Sequence, residues 1–124
     1  AAGGTALLPR MQGPARPLRF LRWTPATVLE IADFNVEEPP DHADEHRPDI
    51  VLVPFLAVDA DGYRLGYGGG FYDRTLERLG SVVAIGVGLD AQRVDKLPRG
   101  AHDAPLTHLA TESGIVTFAR GRAP

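Results

Sequence analysis

The chain has no cysteine among its 124 residues. That excludes disulfides, Cys-ligated zinc and a thiol nucleophile, and it suits a reducing compartment, with the cytoplasm as the expected location. An excess of basic charge is also missing: 13 Lys and Arg stand against 16 Asp and Glu, a formal charge of -3. No broad positive field is available to track a nucleic-acid backbone, so nucleic acid is not an expected partner. No apolar run approaches the roughly 20 residues that span a bilayer, and Ala1 to Thr5 carries neither the charged nor the hydrophobic part of a secretion signal. A membrane is not expected either. The same opening lacks a Met and reads as the Gly-rich end of a helix leading into a strand, so an upstream segment is expected.

What is present suits one packed domain over residues 1–124. Hydrophobic residues make up 44% of the chain and charged residues 23%, too apolar for disorder and ordinary for a folded protein. Thr5 to Leu8 and the alternating Leu18 to Trp23 read as strands joined through Gln12-Gly13-Pro14. Thr24-Pro25 could cap a short helical turn, but Val28 to Asn35 has no sustained period, so the stretch is expected to be irregular. Residues 37–49, with three prolines around Asp41 to His46, are expected to form a charged surface loop. Ile50 to Val58 is almost unbroken apolar sequence, which suits a strand buried on both faces and ended or bent by Pro54. Phe71, Thr75, Leu76 and Leu79 have helical spacing before Gly80, and Val82 to Val87 is a second apolar strand. Strand, helix and strand make a βαβ unit with a right-handed crossover, so the class is α/β. A short helix over Asp90 to Leu97 and a final hairpin, Leu106 to Ala110 with Ile115 to Phe118, complete the expectation.

The chemistry concentrates between the first buried strand and the helix, in Arg64-Leu65-Gly66-Tyr67-Gly68-Gly69-Gly70-Phe71-Tyr72-Asp73-Arg74. Glycines there let the backbone approach a ligand, and the free N–H groups of a helix N-terminus favour a phosphate. No Lys-Ser or Lys-Thr follows, and a G-x-G-x-x-G register would place its third Gly on Phe71, so neither familiar phosphate-loop pattern applies. A flexible turn is the plainer reading of the glycines. Flanking Arg64, Asp73 and Arg74 turn the balance towards an anion site. Asp73 would stabilise a helix N-terminus without any metal, yet beside a bound triphosphate it could hold Mg²⁺, which takes one or two protein carboxylates. Asp103 could be a second ligand or simply a turn residue ahead of Pro105. His42 and His46 have metal-like spacing only if helical, which the surrounding prolines oppose. Arg10, Arg16, Arg19 and Arg22 read as the wet face of a hairpin, and Trp23 and Phe34 as packing aromatics that could alternatively line a flat ligand.

Asp49 to Asp59 followed by Gly62 to Arg74 closely resembles the 5-formyltetrahydrofolate cyclo-ligase (methenyltetrahydrofolate synthetase) family. Leu8-Pro9-Arg10, Phe34 to Pro39, His102 to Pro105 and Thr111-Glu112 extend the likeness over nearly the whole chain. Asn35 and Glu37 stand where that family usually has Gly and Pro. The resemblance implies an open three-layer α/β/α sheet of mostly parallel strands with a C-terminal hairpin, lacking the family's N-terminal region. It implies ATP- and Mg²⁺-dependent closure of 5-formyltetrahydrofolate to 5,10-methenyltetrahydrofolate, with the formyl oxygen attacking the γ-phosphate, N10 then closing the ring, and ADP and phosphate released. By the same resemblance Arg64 to Tyr72 hold the nucleotide, Tyr67 to Phe71 also touch the folate, and Asp73 and Asp103 match the magnesium ligands. Arg64 and Arg74 are then the charge-neutralising catalytic candidates. A non-catalytic nucleotide-binding or regulatory module is the alternative. A full-length protein is expected to be monomeric, whereas a chain without its helical layer would expose a sheet face and self-associate.

Overall fold

The computed structural model describes residues 3–32 and 35–118. Phe34, the expected helix end at Ala1 and Ala2 and the tail at 120–124 lie outside the described residues. Strands β1 (Leu7–Arg10) and β2 (Arg19–Arg22) form an antiparallel hairpin. Two-residue strands β3 (Glu30–Ile31) and β4 (Glu37–Glu38) pair beyond it. The main sheet contains β5 (Ile50–Val53), β8 (Val83–Val87), β9 (His108–Thr111) and β10 (Gly114–Thr117), in the order β10-β9-β8-β5. Its β5–β8 and β8–β9 pairs are parallel and β9–β10 is antiparallel. Between β5 and β8 lie a small antiparallel pair, β6 (Ala57–Val58) with β7 (Arg64–Leu65), and helix α1 (Phe71–Leu79).

The expected βαβ unit is therefore present, with Pro54 directly after the end of β5. Helix α1 buries Thr75 and Leu76, and Tyr72 and Leu79, which share the Leu76 face by helical spacing, pack half-buried against the same core. The core joins that face to Val51 and Val53 of β5, Ala84 of β8, Leu109 of β9, and Phe55, Val58, Leu106 and Phe118 from the connections. Thr75 ties the hairpin to the helix: its hydroxyl donates to the Phe71 carbonyl at 2.5 Å and accepts the Leu18 amide at 2.8 Å. The charged segment 37–49 leaves Asp41, His42 and Glu45 exposed but buries Glu38, Pro39 and Pro48. Glu38 accepts the Met11 amide, and Arg19 pairs with Asp41 and Glu45. Thus Arg10 and Arg19 are spent on surface ion pairs, as a wet hairpin face requires.

Two expectations need correction. Ile50 to Val58 is not a strand buried on both faces: β5 alternates exposed and buried residues, and Ile50, Leu52, Val83, Val87 and Ile115 all leave one face of the sheet open. Asp90 to Leu97 is not a helix. A single 3-10 turn covers Asp90–Gln92, after which the Val94 amide donates to the Val58 carbonyl at 2.9 Å and the backbone runs extended beside β6. Tertiary pairing has overridden a marginal amphipathic pattern. Thr24-Pro25 forms a single turn in an otherwise irregular stretch, as expected, closed by the Thr27 amide on the Thr24 carbonyl. Among the described residues α1 is the one α-helix, so one layer of helix meets the sheet. No helix of the described residues is long and apolar enough to cross a membrane.

Candidate functional site

Strand β7 delivers Arg64 to the foot of the Gly-rich loop, and Gly70 ends that loop as the N-cap of α1 in a left-handed conformation, φ 68°. A left-handed cap costs Gly nothing, whereas another residue would be strained there. No side chain caps the helix, so its first amides remain available to an incoming anion. The loop glycines also make room for the site's own cations. A Cβ on Gly66 would lie 2.7 Å from Arg64 Nη1, and one on Gly70 would lie 2.8 Å from Arg74 Nη1. Arg74 folds back to donate to the Gly69 carbonyl at 2.7 Å, and Tyr67 stands exposed at the loop tip beside exposed Leu65. Gly68 also has positive φ, and Gly69 lies against the ring of Phe71.

Arg64 is the centre of this arrangement. Its side chain is only 4% exposed, its guanidinium lies 5.6 Å from the Tyr72 ring, and Nη2 donates to Asp73 Oδ1 at 3.4 Å. Burial pushes the guanidinium's pKa down, against the opposing pull of Asp73, Tyr72 and Asp103. Burial likewise pushes the Tyr72 phenol up, opposed by Arg64. Arg64 Nε is buried with no hydrogen-bond partner among the described residues. A buried charged donor left unpaired is costly, and an anion at the loop would reduce that cost.

Asp73, in the first turn of α1, accepts a second bond on Oδ1 from the Ala104 amide at 3.3 Å. That amide adjoins Asp103, whose own Oδ2 accepts the Gly100 amide at 2.7 Å. The structure thus brings Arg64, Asp73 and the Asp103 loop together, while the Arg74 guanidinium is held on the Gly69 carbonyl. No group of three His, Cys, Asp or Glu side chains that could hold a metal occurs among the described residues. Two carboxylates with an adjacent anion site nevertheless fit Mg²⁺, whose remaining ligands are usually water and phosphate oxygens. His42 and His46 are exposed in an irregular segment, and Trp23 follows β2 with its amide donating to the Ala6 carbonyl.

Sequence reading missed the support behind this site. Asp59, with a side chain 0% exposed, accepts the amides of Asp61 and Tyr63 on Oδ1 and the Leu97 amide and the Arg99 guanidinium Nη2 on Oδ2. Burial pushes Asp59's pKa up, but the Leu97 amide, Arg99 and the Asp61 and Tyr63 amides outweigh it and hold the carboxyl below its ordinary range. The Asp59-Ala60-Asp61-Gly62 turn was a readable signal for half of this cluster.

Comparison with known proteins identifies the family of the chain. The model of the 5-formyltetrahydrofolate cyclo-ligase family matches residues 1–112. The 5-formyltetrahydrofolate cyclo-ligase of Mycolicibacterium smegmatis is 38% identical over 94% of this chain and 64% of its own length. That of Haemophilus influenzae is 39% identical over 72% of the chain and 51% of its own length. The NMR structure of Aquifex aeolicus 5,10-methenyltetrahydrofolate synthetase superposes with a TM-score of 0.77 at 34% identity, covering 97% of this chain and 61% of that one. The chain therefore spans between about half and two thirds of the curated relatives it matches, 51% to 64%. On the family match and the shared fold together, the chain belongs to the 5-formyltetrahydrofolate cyclo-ligase family.

Proposed function

We propose that this chain carries the nucleotide-binding half of an ATP-dependent cyclisation of 5-formyltetrahydrofolate to 5,10-methenyltetrahydrofolate, yielding ADP and phosphate. The observation that carries the reading is Arg64: a buried guanidinium with an orphaned Nε, set beside an uncapped helix N-terminus and a Gly-rich loop. Phosphoryl transfer asks a protein mainly to position phosphates and neutralise charge. Arg64 to Tyr72 would cradle the ATP phosphates, Tyr67 to Phe71 would also meet the folate, and Arg64 and Arg74 would neutralise charge from either side of the loop. Asp73 and Asp103 would hold Mg²⁺, which supplies electrostatic stabilisation to the phosphate oxygens.

The reading takes residues 1–124 as one α/β unit working in the cytoplasm. It further supposes that the third layer of an α/β/α sheet, absent above the open face, comes from the length that the relatives have and this chain does not span. A nucleotide-binding module without turnover is the second reading, favoured by that shorter span. The deciding experiment mixes the chain with 5-formyltetrahydrofolate, Mg²⁺ and ATP and follows methenyltetrahydrofolate absorbance, with calorimetric MgATP titration alongside. Product that requires ATP and vanishes in Asp73→Ala establishes the enzyme. MgATP binding without product, even after the remaining family length is supplied, establishes the module, and absence of binding sinks both.

A further inference from the structure

Two walls meet at Asp73. One is the β6–β7 hairpin, whose last strand carries Arg64; the other is the segment 97–104, which carries Asp103 and the Ala104 amide. These walls are 30 to 40 residues apart in sequence, and neither belongs to the main sheet. What joins them is Asp59. Oδ1 closes the hairpin loop by accepting the Asp61 and Tyr63 amides, each at 3.0 Å. Oδ2 reaches across to the other wall, accepting the Leu97 amide at 3.0 Å and Arg99 Nη2 at 2.8 Å. Arg99 grips the hairpin twice more, through Asp61 Oδ2 at 2.9 Å and by lying 4.1 Å over the Tyr63 ring. The Leu106 amide on the Gly62 carbonyl, at 2.9 Å, closes the far side of the same circuit. A Cβ on Gly62 would stand 2.8 Å from the Leu106 carbonyl, so the hairpin loop also lies against the backbone just beyond the second wall.

We infer that Asp59 and Arg99 are positioning residues, which hold Arg64 on one wall and Asp103 on the other at the separation that lets both serve Asp73. The inference rests on the nucleotide-binding reading of that site. Its physical basis is that groups behind a metal or anion site orient the groups in front, and losing them typically costs about 10–100-fold in affinity. Asp59 is suited to such a task because all four of its bonds are charge-assisted and shielded from water. Arg99 suits it because a planar guanidinium can pair with two carboxylates and stack on a ring at once, which an ammonium cannot.

The test compares Arg99→Met and Arg99→Lys with the unaltered chain by amide hydrogen exchange and by calorimetric MgATP titration. Arg99→Met is expected to speed exchange in segments 59–65 and 97–106 while leaving α1 and the main sheet protected, and to weaken MgATP binding by about tenfold or more. Arg99→Lys, which keeps a cation but loses the double pairing, should recover only part of that affinity. Unchanged exchange in both segments would mean no brace exists, and faster exchange with unchanged MgATP affinity would mean the brace does not serve the site; either result overturns the inference. Exchange is read without nucleotide. If the unaltered chain binds no MgATP, the nucleotide reading fails and takes the positioning role with it, even where exchange shows the brace to be real.

Discussion

At Arg64 stability and binding pull in opposite directions. A guanidinium that is 4% exposed, whose Nε has no partner and whose one ion pair is 3.4 Å long, is poorly compensated for its lost hydration. Replacing such a buried charge with an apolar side chain of similar reach is often neutral or stabilising. Asp73, left behind, keeps the Ala104 amide and is exposed enough for water to solvate it. Arg64→Met should therefore unfold at the same or a higher urea concentration than the unaltered chain, while MgATP binding, followed by calorimetry, falls at least tenfold. A variant that loses both stability and binding would identify Arg64 as a fold-determining residue instead. This site was legible in the sequence because Arg64, the glycines and Asp73 fall within ten consecutive positions, where turn chemistry and a helix start can be read locally. The partnership of Asp59 with Arg99 was not legible, since 40 residues separate them and nothing local in either marks the other.

Among the elements, the strands and the helix with strong periodicity were readable, and the failures occurred where packing outside the element decided its form. Asp90 to Leu97 had two apolar residues on a helical face, a weak pattern that lost to pairing with β6 and to Gln92, whose side chain bonds the Phe55 and Leu56 carbonyls. Asn35 takes a left-handed backbone, φ 58°, which Asn tolerates better than most residues. Strand β8 shows how closely the buried face is filled. A Cβ on Gly86 would lie 2.5 Å from Leu106 Cδ1 and 3.2 Å from Phe55 Cε2, both core atoms with neighbours behind them. Overpacking of this kind costs about 1–3 kcal/mol. Gly86→Ala should accordingly shift the urea midpoint down by that equivalent without changing the slope of the transition, and an unchanged midpoint would show that Leu106 and Phe55 have space to retreat.

For the whole molecule the open face of the sheet is the dominant surface feature. Ile50 is 58%, Leu52 63% and Ile115 68% exposed, and the strand registers set them on one face with Val83, Ile85 and Val87. The apolar run Ile50 to Val58 suggests burial on both faces because composition reports the burial a strand is built for, and here, among the described residues, only one face has a cover. Contiguous apolar patches of this kind seek partners, and each large aliphatic side chain that becomes covered contributes roughly 1.5–3 kcal/mol. The chain on its own is therefore expected to self-associate in a concentration-dependent way, with the mean mass from light scattering rising above that of one chain at micromolar concentrations. Because these side chains project into solvent, Leu52→Lys with Ile115→Lys should keep the fold, judged by circular dichroism and an unchanged cooperative transition, while returning the scattering mass to a single chain. Supplying the remaining family length should have the same effect on mass without any substitution, since it would cover the same face. If the doubly substituted chain still associates, the contact lies elsewhere than on this face.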